Sequence, residues 1–385
     1  MRLKSLVVLA AVNTSSAQTL AEVLQAQSAT LSVLNSWLSS QQLVFTILSS
    51  AQGVTLLAPS NNALNQLFST PFATQLAQDP NLLTAFLSYH VLNGVFFISD
   101  FLNTQSLISV PTFLDIEAYS NVTGGQRILS GSQNGAVTFY SGNGAQTNVE
   151  PYDFNYAGGT IHIIDSVLTL PASVTNSLIS AGLIAALGAF RRAGVENTLN
   201  LAADVTIFAP NNDAFNAIGS TVDSMTLEQL TTVLNYHVVQ GKVLYSQLIA
   251  GGRELTAEGG ILNFRTENGV LFVNSAKVVQ PNVLVANGVV HVVDGVLNPA
   301  NSTATPNPAA STQEPAFNGA TSTSGGVPFT SSIPTITSPA TPTVSTGGGN
   351  DDGGGPPVTA LAARARPAAV GLTAFLGGVM VMANL

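Results

Sequence analysis

Residues 54–64 read VTLLAPSNNAL, and residues 205–215 read VTIFAPNNDAF. Each stretch is followed by an apolar, helix-like run that ends in Tyr-His. A segment rich in isoleucine and valine then carries a second histidine, at residues 160–171 and 289–299. The period of about 150 residues is too long for a solenoid repeat, whose period is about 20 to 50 residues, and is typical of one globular domain. The sequence therefore predicts two copies of a single domain.

The composition limits the classes of function that the chain can have. Hydrophobic residues make up 45% of the 385 residues, enough for two cores, whereas charged residues make up only 8% and the formal net charge is -9. The sequence has no basic patch that would bind phosphates, so we predict no nucleic-acid partner. The absence of cysteine excludes thiolate zinc sites and cysteine nucleophiles.

The start of the chain is typical of a secretory signal. Arg2 and Lys4 precede an apolar run, and small residues precede Gln18, as at a signal cleavage site. We therefore predict a signal peptide at residues 1–17 and secretion of the remaining chain. The Asn-x-Ser/Thr sequences at Asn121 and Asn301 predict N-linked glycans.

The end of the chain is typical of an anchored surface protein. Residues 300–357 are rich in Ser, Thr, Pro and Gly. They are predicted to form a disordered, extended stalk, because such a segment buries too little apolar area to offset its entropy. Residues 358–385 end in an uncharged apolar stretch, typical of a signal for a glycosylphosphatidylinositol (GPI) anchor, with a transmembrane helix as the alternative. The candidate attachment residues are Asn350, Asp351, Asp352 and Gly353.

The two predicted domains, at residues 18–171 and 172–299, share one order of elements. In each, helical stripes of apolar residues at spacings of three and four come first, and β-branched runs separated by turns come later. Strands that follow helices within one domain predict an α+β fold. The interval between the two histidines is 72 residues in the first domain and 54 in the second. The extra residues, around 121–144, are predicted to form a surface loop or a longer hairpin.

Three motifs in the same order, present twice, carry a resemblance to a known family. TLLAPSNNAL and TIFAPNNDAF resemble the first conserved box of the fasciclin-like (FAS1) domain, SYHVL and NYHVV its Tyr-His motif, and GGTIHIIDSVLTLP and NGVVHVVDGVLNP its second box. The chain as a whole resembles a fungal, GPI-anchored protein with tandem FAS1 domains. The resemblance implies that each domain is a β-sheet wedge with a helical cluster, and that the protein acts in adhesion without catalysis.

Two positions depart from the pattern of that family. The acidic residue common in the first box is present as Asp213 in the second domain but is replaced by Asn62 in the first. Family members that bind adhesion receptors often carry Asp-Ile ahead of the second box, where this chain has Asp153-Phe154 and Asn282-Val283. The resemblance makes Asp153 and Asp213 candidates for partner contact or for a structural role, although neither domain keeps the Asp-Ile pair.

The repeated motifs contain all four histidines and two tyrosines: Tyr89, His90, His162, Tyr236, His237 and His291. A metal or catalytic site would need a third ligand, and the nearest aspartates, Asp165 and Asp294, lie on the opposite face of a predicted strand. We favour histidines that hydrogen-bond within the core, with direct partner contact as the alternative. The tyrosines are expected in the core or, alternatively, at a binding surface. Nucleophile-elbow, P-loop and dinucleotide-binding motifs are absent from the sequence, so no enzyme activity, cofactor or metal is predicted.

The order of signal, duplicated domains, stalk and anchor signal leads to a functional hypothesis. The chain is predicted to be a surface protein, anchored to the plasma membrane or cell wall, that mediates cell-cell, cell-matrix or cell-wall contact. Its expected partners are glycans or proteins of the cell surface or wall, or a second copy of itself. The alternatives are a wall or membrane organiser without adhesive activity, and a vacuolar or endomembrane protein whose tail is a transmembrane helix.

Overall fold

The computed structural model describes residues 17–102, 107–133, 135–249, 252–322 and 326–331. Residues 1–16 of the predicted signal peptide, the four candidate attachment residues and the tail at 358–385 lie outside the described residues, so the assignments made there stay predictions. Within the described part of the chain, no helix is long and apolar enough to span a bilayer.

The first domain begins with helices and places its strands in two sheets. Its helices are α1 (Leu20–Ala26), α2 (Ser28–Ser40), α3 (Gln42–Ser50), α4 (Asn61–Phe68), α5 (Pro71–Gln78), α6 (Pro80–Tyr89) and α7 (Ile98–Leu102). Its strands are β1 (Val54–Pro59), β2 (Val91–Leu92), β3 (Ile108–Pro111), β4 (Arg127–Gln133), β5 (Ala136–Tyr140), β6 (Gln146–Asn148), β7 (Phe154–Tyr156) and β8 (Gly159–Ile164). Among the described residues, one sheet has the order β2-β1-β8-β7 and the other the order β3-β4-β5-β6.

The second domain repeats this arrangement with its strands joined in one sheet. Its helices are α8 (Val174–Ser180), α9 (Ile184–Arg192), α10 (Glu196–Leu201), α11 (Asn212–Ala217), α12 (Gly219–Ser224) and α13 (Leu227–Tyr236). Its strands are β9 (Val205–Pro210), β10 (Val238–Val239), β11 (Arg253–Leu255), β12 (Ile261–Glu267), β13 (Val270–Val273), β14 (Ala276–Val285) and β15 (Gly288–Val293). Their order in the sheet, within the described ranges, is β10-β9-β15-β14-β13-β12-β11.

The repeated boxes form the central strands of these sheets. β1 and β9 are buried at all six positions, and each lies parallel to the strand of the second box, β8 or β15. Their continuous apolar sequences fit strands that are covered on both faces. Directly after these strands, Ser60 and Asn211 cap the next helices by accepting the N–H groups of Ala63 (3.2 Å) and Ala214 (2.8 Å). The predicted α+β fold with two copies of one domain is confirmed.

The two domains contact each other through an apolar cluster and a buried amide. Leu129 of the first domain packs with Tyr245 and Val289 of the second. The buried side chain of Gln126 donates from Nε2 to the carbonyl oxygen of Val285 (2.9 Å). Because breaking this bond would leave buried polar groups unpaired, it helps to fix the orientation of one domain on the other.

The loop that contains Asn121 differs from the sequence prediction. β4 and β5 form the longer hairpin, but Asn121 lies against the second domain and not on a free surface loop. Its backbone N–H donates to Ala286 O (2.8 Å), its Nδ2 donates to Leu201 O (3.1 Å), and its carbonyl accepts the N–H of Asp204 (3.1 Å). A glycan on Nδ2 would replace the bond to Leu201. Glycosylation of Asn121 stays a prediction, now at a site between the domains.

The first part of the predicted stalk is packed on the second domain. Residues 300–322 and 326–331, termed the strap, place four apolar side chains against the core of that domain: Phe317, Ala320, Val327 and Phe329. The prediction of a disordered stalk is wrong for these residues, because it relied on average composition and overlooked a few side chains with large apolar area. Asn301 also lies here, with Nδ2 donating to Ala316 O (3.1 Å), and its glycosylation stays a prediction.

Gly188 in α9 is expected to be required for the position of the strap. Phe329 packs edge-on against Phe215, with ring centroids 5.7 Å apart, and a Cβ at position 188 would lie 2.0 Å from the backbone oxygen of Phe329. Gly188→Ala should therefore displace the strap and lower the free energy of unfolding of the second domain by about 1–3 kcal/mol. Urea denaturation of residues 17–331 measures this loss.

A shorter chain provides the control for Gly188→Ala. In a chain that ends at Pro299, the same substitution should raise the free energy of unfolding by about 0.5–1 kcal/mol, because alanine favours the helix over glycine. The sign of the effect is thus expected to depend on the strap. Stabilisation in both chains would mean that the strap does not rest on α9 in solution.

Candidate functional site

The histidines of the two Tyr-His motifs cap the ends of α6 and α13. In each, Nδ1 donates to the carbonyl oxygen four residues earlier, and Nε2 accepts a backbone N–H from the last part of the second box, beyond its strand. The contacts are His90 Nδ1 to Phe86 O (2.8 Å), Leu168 N to His90 Nε2 (2.9 Å), His237 Nδ1 to Val233 O (2.7 Å) and Leu297 N to His237 Nε2 (2.9 Å). Each imidazole therefore joins the end of a helix to the chain beyond the sheet.

The histidines of the second box tie a different pair of loops to the sheet. In each, Nε2 donates to a carbonyl oxygen and Nδ1 accepts a backbone N–H. The contacts are His162 Nε2 to Phe96 O (2.9 Å), Asp153 N to His162 Nδ1 (3.2 Å), His291 Nε2 to Leu244 O (2.7 Å) and Asn282 N to His291 Nδ1 (3.3 Å). The same geometry in both domains shows that the hydrogen bonds belong to the fold.

All four imidazoles are buried and neutral. Burial lowers the pKa of His90, His237 and His291 from 6.5 to about 4, and it lowers the pKa of His162 as well. Both ring nitrogens are already used by backbone groups, so a metal or a substrate proton has no free nitrogen to reach. Within the described residues, no three His, Asp or Glu side chains gather as metal ligands. The geometry favours the structural interpretation of the histidines over partner contact.

The tyrosines of the Tyr-His motifs are also core residues. Tyr89 donates its hydroxyl hydrogen to Arg127 O (3.1 Å), and Tyr236 donates to Ile261 O (2.8 Å) and accepts from Asn274 Nδ2 (2.9 Å). Both side chains are fully buried. Their hydroxyl groups join the ends of α6 and α13 to β4 and β12, so neither hydroxyl lies at a binding surface.

The residues ahead of the second box occupy equivalent positions in the two domains. Asp153 and Asn282 both have a positive φ, 60° and 62°. The carboxylate of Asp153 accepts the N–H of Ile98 (3.0 Å), and the side-chain oxygen of Asn282 accepts the N–H of Ser246 (2.8 Å). Asp153 and Asn282 are therefore equivalent in the two copies, and their side chains hold the neighbouring loop in place.

Among the described residues that the sequence predicts for partner contact or a structural role, the two aspartates reach solvent. The Asp153 side chain is 29% exposed, although its Oδ1 lies 3.6 Å from Nδ1 of buried His162. Asp213 is exposed in the first turn of α11, a favourable position for a negative charge. These two residues are therefore the ones available to a partner.

Sequence reasoning missed an exposed apolar surface beside Asp153. Val95, Phe97 and Tyr152 are 42%, 41% and 47% exposed. Their loops adjoin, since Ile98 N bonds Asp153 Oδ1. These three side chains, with Asp153, are termed the open face. No local sequence pattern marks these side chains, because the exposure of a loop residue depends on which surfaces pack together in the fold.

The second domain buries the counterpart of Phe97. Equivalent hydrogen bonds match the two loops, Thr55 Oγ1 to Gly94 O (2.8 Å) and Thr206 Oγ1 to Lys242 O (2.9 Å). Residues 94–97 therefore correspond to residues 242–245, and Phe97 corresponds to Tyr245. Tyr245 is only 2% exposed, because it packs on Leu129 of the first domain. The tyrosine that the second domain buries against the first thus corresponds to an exposed phenylalanine in the first domain.

Comparison with known proteins gives relatives over most of the two domains. The chain is 33% identical over 270 residues to a fasciclin-like arabinogalactan protein of Arthroderma benhamiae, covering 68% of this chain and 62% of that protein. The chain thus spans less than two thirds of that relative's length. It is 32% identical over 271 residues to the fasciclin-like arabinogalactan protein elcF of Phaeosphaeria nodorum, covering 69% of this chain and 84% of that protein.

Among solved structures, a FAS1 domain pair from the insect cell adhesion molecule Fasciclin I is 20% identical, with a TM-score of 0.33, and the match covers 67% of this chain and 92% of that chain. The Fasciclin domain matches residues 29–171 and again residues 182–299. These ranges contain the central strands and the four buried histidines of both copies. The chain therefore belongs to the fasciclin domain family and carries the domain twice.

Proposed function

We propose that this protein is a non-catalytic adhesion protein of the cell surface, secreted, glycosylated and held by a lipid anchor. Its two fasciclin domains contact glycans or proteins of the cell surface or wall, or a second copy of the chain. Membership of the fasciclin family and similarity to fasciclin-like arabinogalactan proteins support an extracellular protein. The sequence of the two ends supports secretion and anchoring.

The open face is the observation that carries the adhesive function. Val95, Phe97 and Tyr152 expose large apolar side chains next to the carboxylate of Asp153. In the second domain the counterparts of Val95 and Phe97, Val243 and Tyr245, pack against another fasciclin domain, so this loop is suited to protein contact. Clustered apolar side chains with a polar rim are typical of interaction surfaces.

Weak contacts through this face are enough for firm attachment when many copies of the protein share one membrane. Lipid-anchored proteins are concentrated at a surface, so a second contact forms at a high effective concentration. Micromolar or millimolar single contacts then add to firm attachment. Attachment of this kind requires binding and no catalysis, which is what we propose for this chain.

Bead aggregation tests the proposal. Beads coated with glycosylated residues 17–331 are mixed with each other and with beads that carry wall polysaccharide. The parent protein should cause clumping, and the double variant Phe97→Ser, Tyr152→Ser should reduce the rate of clumping about tenfold, because truncating central apolar contacts removes most of an interface's energy. The strap is retained in the protein because it packs on the second domain.

A matched control separates the open face from general surface hydrophobicity. Leu227 is 58% exposed at the start of α13, and Leu227→Ser should leave clumping unchanged. If the double variant clumps as fast as the parent, the open face is not the contact surface. If the parent does not clump at any bead density, adhesion is wrong and the organiser alternative takes its place.

A further inference from the structure

A pocket opens between the two domains, away from the histidines and the open face. It has a volume of about 380 Å³, near the lower end of the range of about 300–1,000 Å³ that is typical of small-molecule sites. Its principal lining residues come from both domains: Thr123, Arg127, Asp204, Lys242, Tyr245 and Leu248. A molecule bound there would touch both domains at once.

Two basic side chains line this pocket. The whole chain has only eleven Lys and Arg residues, and two of them, Arg127 and Lys242, line this one pocket. Lys242 Nζ lies 2.7 Å from Glu254 Oε2 and its side chain is 58% exposed. Arg127 forms no ion pair with a described residue. Its Nη1 donates to Ser109 O (3.3 Å), which orients the guanidinium without neutralising it.

The carboxylate that lines the pocket, that of Asp204, already accepts hydrogen bonds within the protein. Both carboxylate oxygens of Asp204 accept hydrogen bonds from Thr123, one from its backbone N–H (2.6 Å) and one from its hydroxyl. This contact joins the two domains at the edge of the pocket. Asp204 can still accept from a sugar hydroxyl, but the guanidinium of Arg127 has no carboxylate partner among the described residues.

Tyr245 gives independent support for a ligand. The side chain lines the pocket and lies under Arg127, whose Cζ is 5.8 Å from the ring centroid. Its hydroxyl is buried and has no hydrogen-bond partner among the described residues. Buried polar groups are nearly always paired in native proteins, so this hydroxyl calls for an acceptor that the two domains do not supply.

We propose that the pocket between the domains binds a carboxylate-bearing sugar, such as one uronic acid unit of a polysaccharide. Arg127 and Lys242 pair with the carboxylate, and Tyr245 donates to a sugar oxygen. Leu248, which is 66% exposed, covers the apolar face of the ring. The choice of a polysaccharide rests on the proposed adhesive function. The chemistry of the site, an anion beside hydroxyl groups, rests on the pocket alone.

Calorimetric titration of residues 17–331 with the trisaccharide of α-1,4-linked galacturonic acid tests this proposal. Saturable binding is expected at one site, with cellotriose, a neutral trisaccharide, binding at least tenfold more weakly. Arg127→Gln and Lys242→Gln should each weaken binding about tenfold. Tyr245→Phe should weaken it about threefold to tenfold, because it removes a single hydrogen bond.

Two controls keep the outcome interpretable. Arg265 is exposed on β12, and Arg265→Gln changes the net charge as much as Arg127→Gln does, but it should leave binding unchanged. Tyr245→Phe removes a hydroxyl that has no hydrogen-bond partner in the part of the chain that the structure describes, so the variant's free energy of unfolding in urea should match or exceed that of the parent. A weaker affinity in that variant then reports the lost contact with the sugar.

The results separate this proposal from the adhesive function. Absence of saturable binding, equal binding of cellotriose, or equal losses in Arg265→Gln and Arg127→Gln would each overturn the sugar site, whatever the beads do. Unchanged affinity in Tyr245→Phe would remove Tyr245 from it. Specific binding of the trisaccharide without bead clumping would instead support the pocket and count against adhesion.

Discussion

Gly288→Ala is expected to prevent the second domain from folding or to lower its free energy of unfolding by at least about 3 kcal/mol. Gly288 begins β15 and lies directly beside Val205 of β9 in the parallel pair. A Cβ at this position would lie 1.9 Å from the carbonyl oxygen of Val205. The obstacle is backbone in a central strand, so it cannot move aside as a flexible side chain would.

Urea denaturation followed by circular dichroism measures the effect of Gly288→Ala, and the duplicated fold supplies a second measurement. Gly159 is the equivalent residue of the first domain, where a Cβ would lie 1.8 Å from Val54 O, so Gly159→Ala should damage that domain equally. Gly252 is the control, because a Cβ there meets nothing closer than 3.8 Å. If Gly288→Ala unfolds at the parent's urea concentration, the close approach of the two central strands is wrong.

The central strands illustrate what the sequence could predict. VTLLAP and VTIFAP are uninterrupted apolar runs closed by a proline and followed by capping residues, so local signals and the fold agree there. Gly159 and Gly288 could not be assigned this role from the chain, since the need for glycine arises from a strand about 100 or 80 residues away. The repeated sequence was enough to predict the strands. The need for glycine becomes apparent only from the pairing of those strands in the fold.

Amino-acid composition alone could not predict the strap or the contact between the domains. A segment rich in Ser, Thr and Pro is normally disordered, yet Phe317 and Phe329 find apolar partners on the second domain. Their partners are set by the surface of α9 and α11, which no local pattern of residues 300–331 reveals. The position of Asn121 could not be predicted for the same reason, because its partners Leu201 and Ala286 belong to the other domain.

The candidate site was predictable in its parts and not in its geometry. The repeated motifs located the histidines and the register of Asp153 against Asn282, but periodicity does not show that Leu168 N or Phe96 O faces a ring nitrogen. Backbone partners of side chains depend on loop paths, and the metal and structural interpretations both fitted the sequence alone. The open face and the pocket between the domains depend on how two folded domains meet.

Acidification is expected to unfold this protein within the range of histidine titration. An unfolded histidine has a pKa of about 6.5, whereas burial lowers the pKa of His237 and His291 to about 4. Between these values the unfolded chain binds more protons than the folded chain, so stability is full above about pH 6.5 and falls as the pH falls. Each of these histidines should remove about 3 kcal/mol by pH 4.

The second domain is expected to unfold at a higher pH than the first when the solution is acidified. It has two histidines with a pKa of about 4, and a loss of about 6 kcal/mol is as large as the whole stability of many domains. In the first domain burial lowers the pKa of His90 to about 4 as well, whereas the lowering of the pKa of His162 by burial is partly offset by its hydrogen bond to Phe96 O and by the carboxylates of Asp153 and Asp100. The first domain should therefore stay folded at a pH at which the second has unfolded.

Urea denaturation at about pH 7 and about pH 5 tests this order, because most aspartates and glutamates remain ionised across that interval and the histidines dominate the proton uptake. His291→Gln should lower the stability at pH 7 and make the remaining pH dependence of the second domain shallower by up to about 1.4 kcal/mol per pH unit. A free energy of unfolding that is the same at both pH values would show that the four imidazoles are not buried and neutral. Where the prediction holds, bead adhesion should fail on acidification and return on neutralisation, since protonation breaks the hydrogen bonds of His237 to Leu297 and of His291 to Asn282 without altering any covalent bond.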